Sequence, residues 1–201
     1  ETKAAPDLEA IAQLLYLSAG ITRHRKYPGG EIYFRAAACT GALYEVELYL
    51  VCGDLANLQA GVYHFAAAEF GLRRLRAGDY RSVLIEATAA EPAVARAPLT
   101  IVCTATYWRN AWKYQDRTYR HFGWDNGTLL ANLLAVGTGL GLPVTIRADH
   151  VEGGEGQVAA AVGRHLADLE AAPVRPHRLH PLRLEVEQIL LAEETALRLQ
   201  V

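Results

Sequence analysis

Two stretches of the chain combine residue types that could do chemistry. In AWKYQDRTYRHFGWDNGTLLANLL, residues 111–134, Lys113 and Tyr114 stand side by side, and Lys113 is one of three lysines among 20 lysines and arginines. An amine and a phenol both carry protons, and either serves as a general base once burial or a neighbouring cation lowers its pKa. In RAAACTGALYEVELYLV, residues 35–51, a turn of small residues runs straight into an apolar strand pattern. Cys39, Thr40, Gly41 and Ala42 leave the backbone uncovered there, so an anion or a flat ring could approach its N–H groups. Each stretch also has an ordinary reading: the second is a tight turn, and in the first Trp112, Tyr119, Phe122 and Trp124 are structural aromatics packed where a strand end meets a helix.

Other chemistries lack their residues. The two serines, Ser18 and Ser82, lie outside any G-x-S-x-G elbow, which closes serine hydrolysis. GTGLGL (137–142) ends a helical pattern instead of joining a strand to one, and Leu142 stands where a dinucleotide loop needs its third glycine. GGEG (153–156) lacks the Lys-Ser/Thr of a phosphate-cradling loop and reads as a turn before a helix. His177 and His180 share a proline-broken loop without Cys or carboxylate partners at ligand spacing, so no metal is expected. Asn126-Gly127-Thr128 has the form of a glycosylation sequon, but the first thirty residues lack the layout of a signal peptide, so no glycosylation is expected.

The totals narrow the class. The 201 residues, 51% hydrophobic with a net charge of −2, suit one domain with a sizeable core, and the scattered charges offer no stripe for nucleic acid. Apolar runs fall short of a membrane span, so a soluble, cytoplasmic protein is expected. Cys39, Cys52 and Cys103 are odd in number and widely spaced, which argues against a disulfide framework. The chain has no methionine, an initiator included, and is expected to begin after the start of its gene product.

The elements that must position the two stretches follow from periodicity. DLEAIAQLLYLSAGI spaces Leu8, Ile11, Leu14 and Leu15 as a helix, with Asp7 as N-cap and Gly20 at the stop. Residues 21–35, charged and broken by Pro28, Gly29 and Gly30, read as a loop. VELYLVC (46–52), GVYHF and LRRLR read as strands, 81–90 as a helix, and PLTIVCTAT as the central strand of the sheet, buried on both faces. A long helix is expected from Thr118 to Leu142 with Leu129, Leu130, Leu133 and Leu134 on one side, then a strand at PVTIR. Helices are expected at 155–164 and 183–200, the latter a possible arm onto a second subunit, and the whole is an α+β domain spanning 1–201.

Taken together, the two stretches resemble the nitroreductase superfamily of flavoproteins, and within it the SagB-type dehydrogenases that include azoline oxidases. The likeness runs through LLYLSAGIT, RAAACTGALYEVELYLV, AGVYHF, ARAPLTIVCTATYWRNAWKY and YRHFGWDNGTLLANLLAVGTGLGL, and thins after Pro143. It implies a central, mostly antiparallel sheet flanked by helices, an intertwined homodimer, and FMN in clefts between the subunits. Lys113 and Tyr114 match the family's Lys-Tyr pair, associated with dehydrogenation, and so become the expected catalytic residues. Arg35, Cys39, Thr40, Gly41, Ala42, Leu43, Asn132, Ile146 and Arg147 become the expected cofactor contacts. Asp125, Gly127 and Asn132 match the family's helix start and its buried asparagine, whereas Thr128 replaces a usual histidine.

The departures concern the flavin site. The family's Pro-Ser-Ala-Gly-Ala-Leu-Tyr-Pro turn is here Ala38-Cys39-Thr40-Gly41-Ala42-Leu43-Tyr44-Glu45, and Arg147 and Ala148 follow Ile146 where relatives carry glycines. The arginine-rich loop that grips the flavin phosphate in many relatives would lie before Glu1. Two functions are therefore expected in competition. One is an FMN-dependent oxidoreductase acting on small molecules or on azolines in peptides; the other is a flavin-free scaffold serving as a binding subunit, and a third arrangement is half of a tandem-domain protein with one catalytic and one structural domain.

Overall fold

The computed structural model describes residues 5–149, 157–162 and 195–198, with side chains described through 147. Helix α1, Leu8–Ala19, forms as its spacing predicts: Asp7 accepts from the Ala10 N–H at 2.8 Å, and Gly20 closes the last turn. Its apolar stripe, Ile11, Leu14 and Leu15, is fully buried.

Seven strands form one sheet: β3 (Val46–Cys52), β4 (Gly61–Ala66), β5 (Gly71–Ala77), β6 (Leu99–Ala105), β7 (Val144–Asp149), β8 (Gln157–Val162) and β9 (Thr195–Arg198). Their order is β7-β8-β6-β3-β4-β5-β9, with every pairing antiparallel. Strand β3 is the middle one and β6 its neighbour, with Leu50 opposite Ile101. The period of two sends Leu48, Leu50, Leu99, Ile101 and Phe65 into a core shared with α1 and with α5 (Thr118–Gly139). The other face carries Val51, Val62 and Val102 under Tyr80 and Leu84, the latter from α2 (Arg81–Ala87). Helices thus cover both faces of the sheet, as the α+β expectation required.

Helix α5 buries Thr118, His121, Asp125, Leu129, Leu133 and Gly137 on one stripe at spacings of three and four residues. Leu134, expected on that side, is 37% exposed instead. At the helix end a Cβ on Gly137 would collide with Val144, so the return from α5 into β7 needs glycine there. GTGLGL is accordingly a helix exit, with Gly141 at φ +68°.

Four expectations require correction. Residues 21–35 are a hairpin, β1 (Ile21–Tyr27) and β2 (Gly30–Arg35), turning at Pro28 and at Gly29, whose φ is +95°. Both faces are largely exposed, so no apolar alternation marked the strands. Residues 157–162 of the expected helix 155–164 form β8; pairing to β6 on one side and β7 on the other overrides the helix propensity of its alanines. Thr195–Arg198 of the expected helix 183–200 pairs with β5 as a strand, and 183–194 lie outside the described residues, as do His177 and His180. Finally, the middle strand of the sheet is β3 and not the PLTIVCTAT strand β6, its neighbour; α3 (Pro92–Arg96) precedes β6, and Lys113 and Tyr114 close a short helix after it, α4 (Tyr107–Tyr114). Among the described residues, no helix is long and apolar enough to cross a membrane.

Candidate functional site

The sheet hangs both stretches from one end of its central strands. Where β3 begins, the Glu45 carbonyl accepts the Thr106 N–H at 2.8 Å, which ties the start of α4 to the end of the small-residue turn. Arg109 on α4 adds to this, donating to the Tyr44 carbonyl at 2.8 Å and pairing with Glu47 at 2.5 Å. Burial would push the Glu47 carboxyl up, but hydrogen bonds from His64 and Arg109 outweigh that and hold it low.

The result is that Lys113 and Tyr114 meet Gly41. A Cβ built on Gly41 would lie 2.6 Å from the Tyr114 hydroxyl and 3.2 Å from Lys113 Nζ. Gly41 also sits at φ +65°, so both its backbone and its lack of a side chain are needed for that approach. The Lys113 ammonium stands 5.2 Å from the Tyr114 ring centroid, and Tyr114 meets the His121 ring edge-on at 4.6 Å.

Beneath the turn lies a buried polar network that spacing in the sequence did not suggest. Asp125 reaches from α5 to accept the Thr40 N–H and the Thr40 hydroxyl, each at 2.9 Å. Cys39 Sγ lies 3.0 Å from Glu45 and 3.3 Å from Asp125, and accepts the Tyr44 N–H at 3.0 Å. Glu45, with no exposed surface, also accepts from Asn110 Nδ2 at 3.1 Å, and Asn110 Oδ1 in turn meets Thr118 and His121. Burial first, and then the neighbouring Asp125 carboxyl, raise the Glu45 pKa, which eases the repulsion between the two carboxyls by holding the Glu45 proton to higher pH. Burial and the same two carboxyls push the Cys39 thiol far up, which makes it a structural thiol instead of a nucleophile. Cys39, Glu45 and Asp125 place one sulfur and two oxygens within 4.8 Å of one another, but these atoms already satisfy each other by hydrogen bonding.

That network covers part of the backbone expected to be open. The N–H groups of Thr40 and Tyr44 go to Asp125 and Cys39, while those of Ala42 and Leu43 go to the Cys39 and Thr40 carbonyls at 3.0 and 3.4 Å. Small residues let the turn fold onto its own groups, so a ligand there meets side-chain cations more than amides. Beside the turn is a shallow open cleft lined by Arg35, Ala37, Ala38, Cys39, Tyr44 and Asp125 among others. The Arg35 guanidinium is half-buried, stacks 5.1 Å from the Tyr44 ring centroid, and forms no ion pair among the described residues. Desolvation lowers its pKa while the charge of Glu47 partly offsets this, and a guanidinium stays charged, so the cleft wall carries a cation.

The remaining expected contacts lie apart from this meeting point. Asn132 is half-buried on α5, and Ile146 packs on the core. Arg147 pairs with Glu91 at 2.6 Å, which neutralises it locally. The aromatics expected to be packed are not: Trp112 is 61%, Tyr119 65% and Trp124 59% exposed, with Trp108 at 72% beside them. Only Phe122 is half-buried, against Tyr107 and Tyr119. Four large exposed rings thus stand between residues 108 and 124 instead of a packed cluster.

No family model matches the chain. A provisionally named nitroreductase of Methanocaldococcus jannaschii is 25% identical over 135 residues, which cover 67% of this chain and 65% of that protein. A crystal structure of another provisionally named nitroreductase, from Anabaena variabilis, superposes with a TM-score of 0.71 at 26% identity, over 80% of this chain and 36% of that one. The Escherichia coli microcin synthetase McbBCD complex, solved with truncated pro-MccB17 bound, matches at a TM-score of 0.65 and 19% identity, over 82% of this chain and 66% of its own. The chain therefore spans about two thirds of the length of the archaeal relative and about a third of the cyanobacterial one. With its antiparallel sheet covered by helices on both faces and these structural neighbours, the chain has the nitroreductase-like fold.

Proposed function

We propose that the protein is an FMN-dependent oxidoreductase, and that its substrates are azoline-type rings in peptides ahead of generic quinones or nitro compounds. The observation that carries this reading is the contact of Lys113 and Tyr114 with the Gly41 turn, next to a cleft holding the unpaired Arg35. The residues fit an anionic cofactor: two cations, Arg35 and Lys113, flank the turn, and neither forms an ion pair among the described residues. Arg35 would hold a phosphate or the ring's electron-rich edge, and Lys113 would stand over the turn as a second fixed charge. Flavin, when bound, supplies the hydride chemistry. The chain supplies the proton path through the Tyr114 hydroxyl beside Lys113, with the His121 edge and Gly41 fixing the Tyr114 ring.

The cleft of one chain encloses only about 20 Å³, far short of the ~300–1,000 Å³ of small-molecule sites, so a second wall is needed. We assign that wall to a second copy, which also covers Trp112 and Trp124. Light scattering of the purified protein should return twice 22.0 kDa, and a Trp112→Ala/Trp124→Ala variant should shift to monomer; a monomeric wild type ends this part of the proposal.

Purified protein supplemented with FMN and desalted should retain a flavin absorption band. Lys113→Ala should keep that band while turnover falls ~10²–10⁴-fold. Absence of the band in the wild type would sink the enzyme reading and favour a flavin-free binding subunit. That second reading has its own support, namely the turn N–H groups bonded internally and the neutralised Arg147.

A further inference from the structure

We propose that the β1–β2 hairpin is a docking edge for an extended acidic peptide, which joins it as a third strand. The hairpin stands outside the main sheet, and neither of its strands has another neighbour among the described residues. A two-stranded sheet of this kind is marginal in water and gains from a further strand. Unpaired edges are where extended peptides add, main-chain bonds giving affinity and alternate side chains giving selectivity.

The side chains select the sign of the partner. Strand β1 presents Arg23, Arg25 and Lys26 in a chain whose net charge is −2. Arg25 and Lys26 form no ion pair among the described residues, while Arg23 lies over the Phe34 ring. Glu31 on β2 is occupied by His24 at 2.9 Å and Tyr33 at 2.8 Å. A second copy of the same edge would set cations against cations, which destabilises a strand pair, whereas acidic residues opposite them stabilise it. The exposed rings of Tyr27 and Tyr33 add apolar contact on the two faces.

The hairpin is also aimed. At its base the Ala36 N–H donates to the Gly20 carbonyl at 2.8 Å and the Arg35 N–H to the Tyr44 hydroxyl at 3.0 Å. A peptide running along it therefore ends at the cleft wall formed by Arg35 and Ala37. This inference does not require flavin, and its test is separate from the flavin band.

The test uses the full chain and a fluorescein-labelled peptide of alternating glutamate and threonine, followed by anisotropy at low salt. Arg25→Glu/Lys26→Glu should weaken binding by about tenfold or more, as should replacing the peptide's glutamates with lysine. Methylating alternate backbone nitrogens of the peptide should weaken binding to the wild type to the same degree, because strand addition needs those donors. Equal affinity for the methylated peptide would reduce the effect to charge alone and overturn the proposal. So would equal affinity of the variant, or no binding by the wild type. The methylated arm uses unaltered protein, so a folding defect in the variant cannot mask the answer.

Discussion

Asp125→Ala should lower the melting temperature by roughly 5–15 °C, the larger of the two stability effects expected here. The variant strands the Thr40 N–H and hydroxyl beneath the turn, each worth ~1–3 kcal/mol when left unsatisfied, and a chain of this size loses ~2–4 °C per kcal/mol. Asp125→Asn keeps one acceptor oxygen and should lose about half as much. Glu45→Gln is the informative contrast, because the amide copies the protonated acid and can still accept from Asn110. Burial raises the Glu45 pKa in the fold, so the native state holds a proton that the unfolded chain has already released. Wild-type stability should therefore be fully present below the ordinary carboxylate pKa and fall as pH rises from there through the raised native value. Glu45→Gln should remove that slope. Thermal-melt profiles that stay parallel for the two proteins as pH rises from the ordinary carboxylate pKa would show the account of the network wrong.

Gly41→Ala should separate catalysis from folding. The left-handed backbone costs an L-residue ~1–2 kcal/mol, and the new Cβ would press on the Tyr114 hydroxyl and Lys113 Nζ. The hairpin supplies a control: Gly29 is also at positive φ, with nothing within 4 Å of an added Cβ, so Gly29→Ala carries the backbone strain alone. Melting temperatures should fall similarly in the two variants, whereas flavin retention and turnover should drop in Gly41→Ala only. Full flavin content and wild-type turnover in Gly41→Ala would mean that the contact of turn and Lys-Tyr pair has no functional weight.

How far the sequence foretold this site depends on which force set each element. Strands β3, β4 and β6 and helices α1 and α5 were legible because each buries an apolar face, and burial writes a period into the sequence. The hairpin and β8 were not: one buries almost nothing, and the other is an alanine-rich strand held by its two neighbours. The turn and the Lys-Tyr pair were both visible, but their contact was not, since only the antiparallel pairing of β3 with β6 brings residue 41 to residues 113 and 114. The Cys39–Glu45–Asp125 cluster was hidden for the same reason, two of its members being 86 positions apart. Glu45 did leave one trace, an acid directly before an apolar strand, and its partners could be named only from the fold.

The bond from the Thr106 N–H to the Glu45 carbonyl also bears on the order of assembly. It fastens α4 to the sheet only after β3 and β6, some fifty residues apart, have found their register. Closing so long a loop is a late and entropically costly event. A ligand bound between the turn and α4 is therefore expected to act as a clamp on the finished molecule, slowing its unfolding more than it changes its rate of folding.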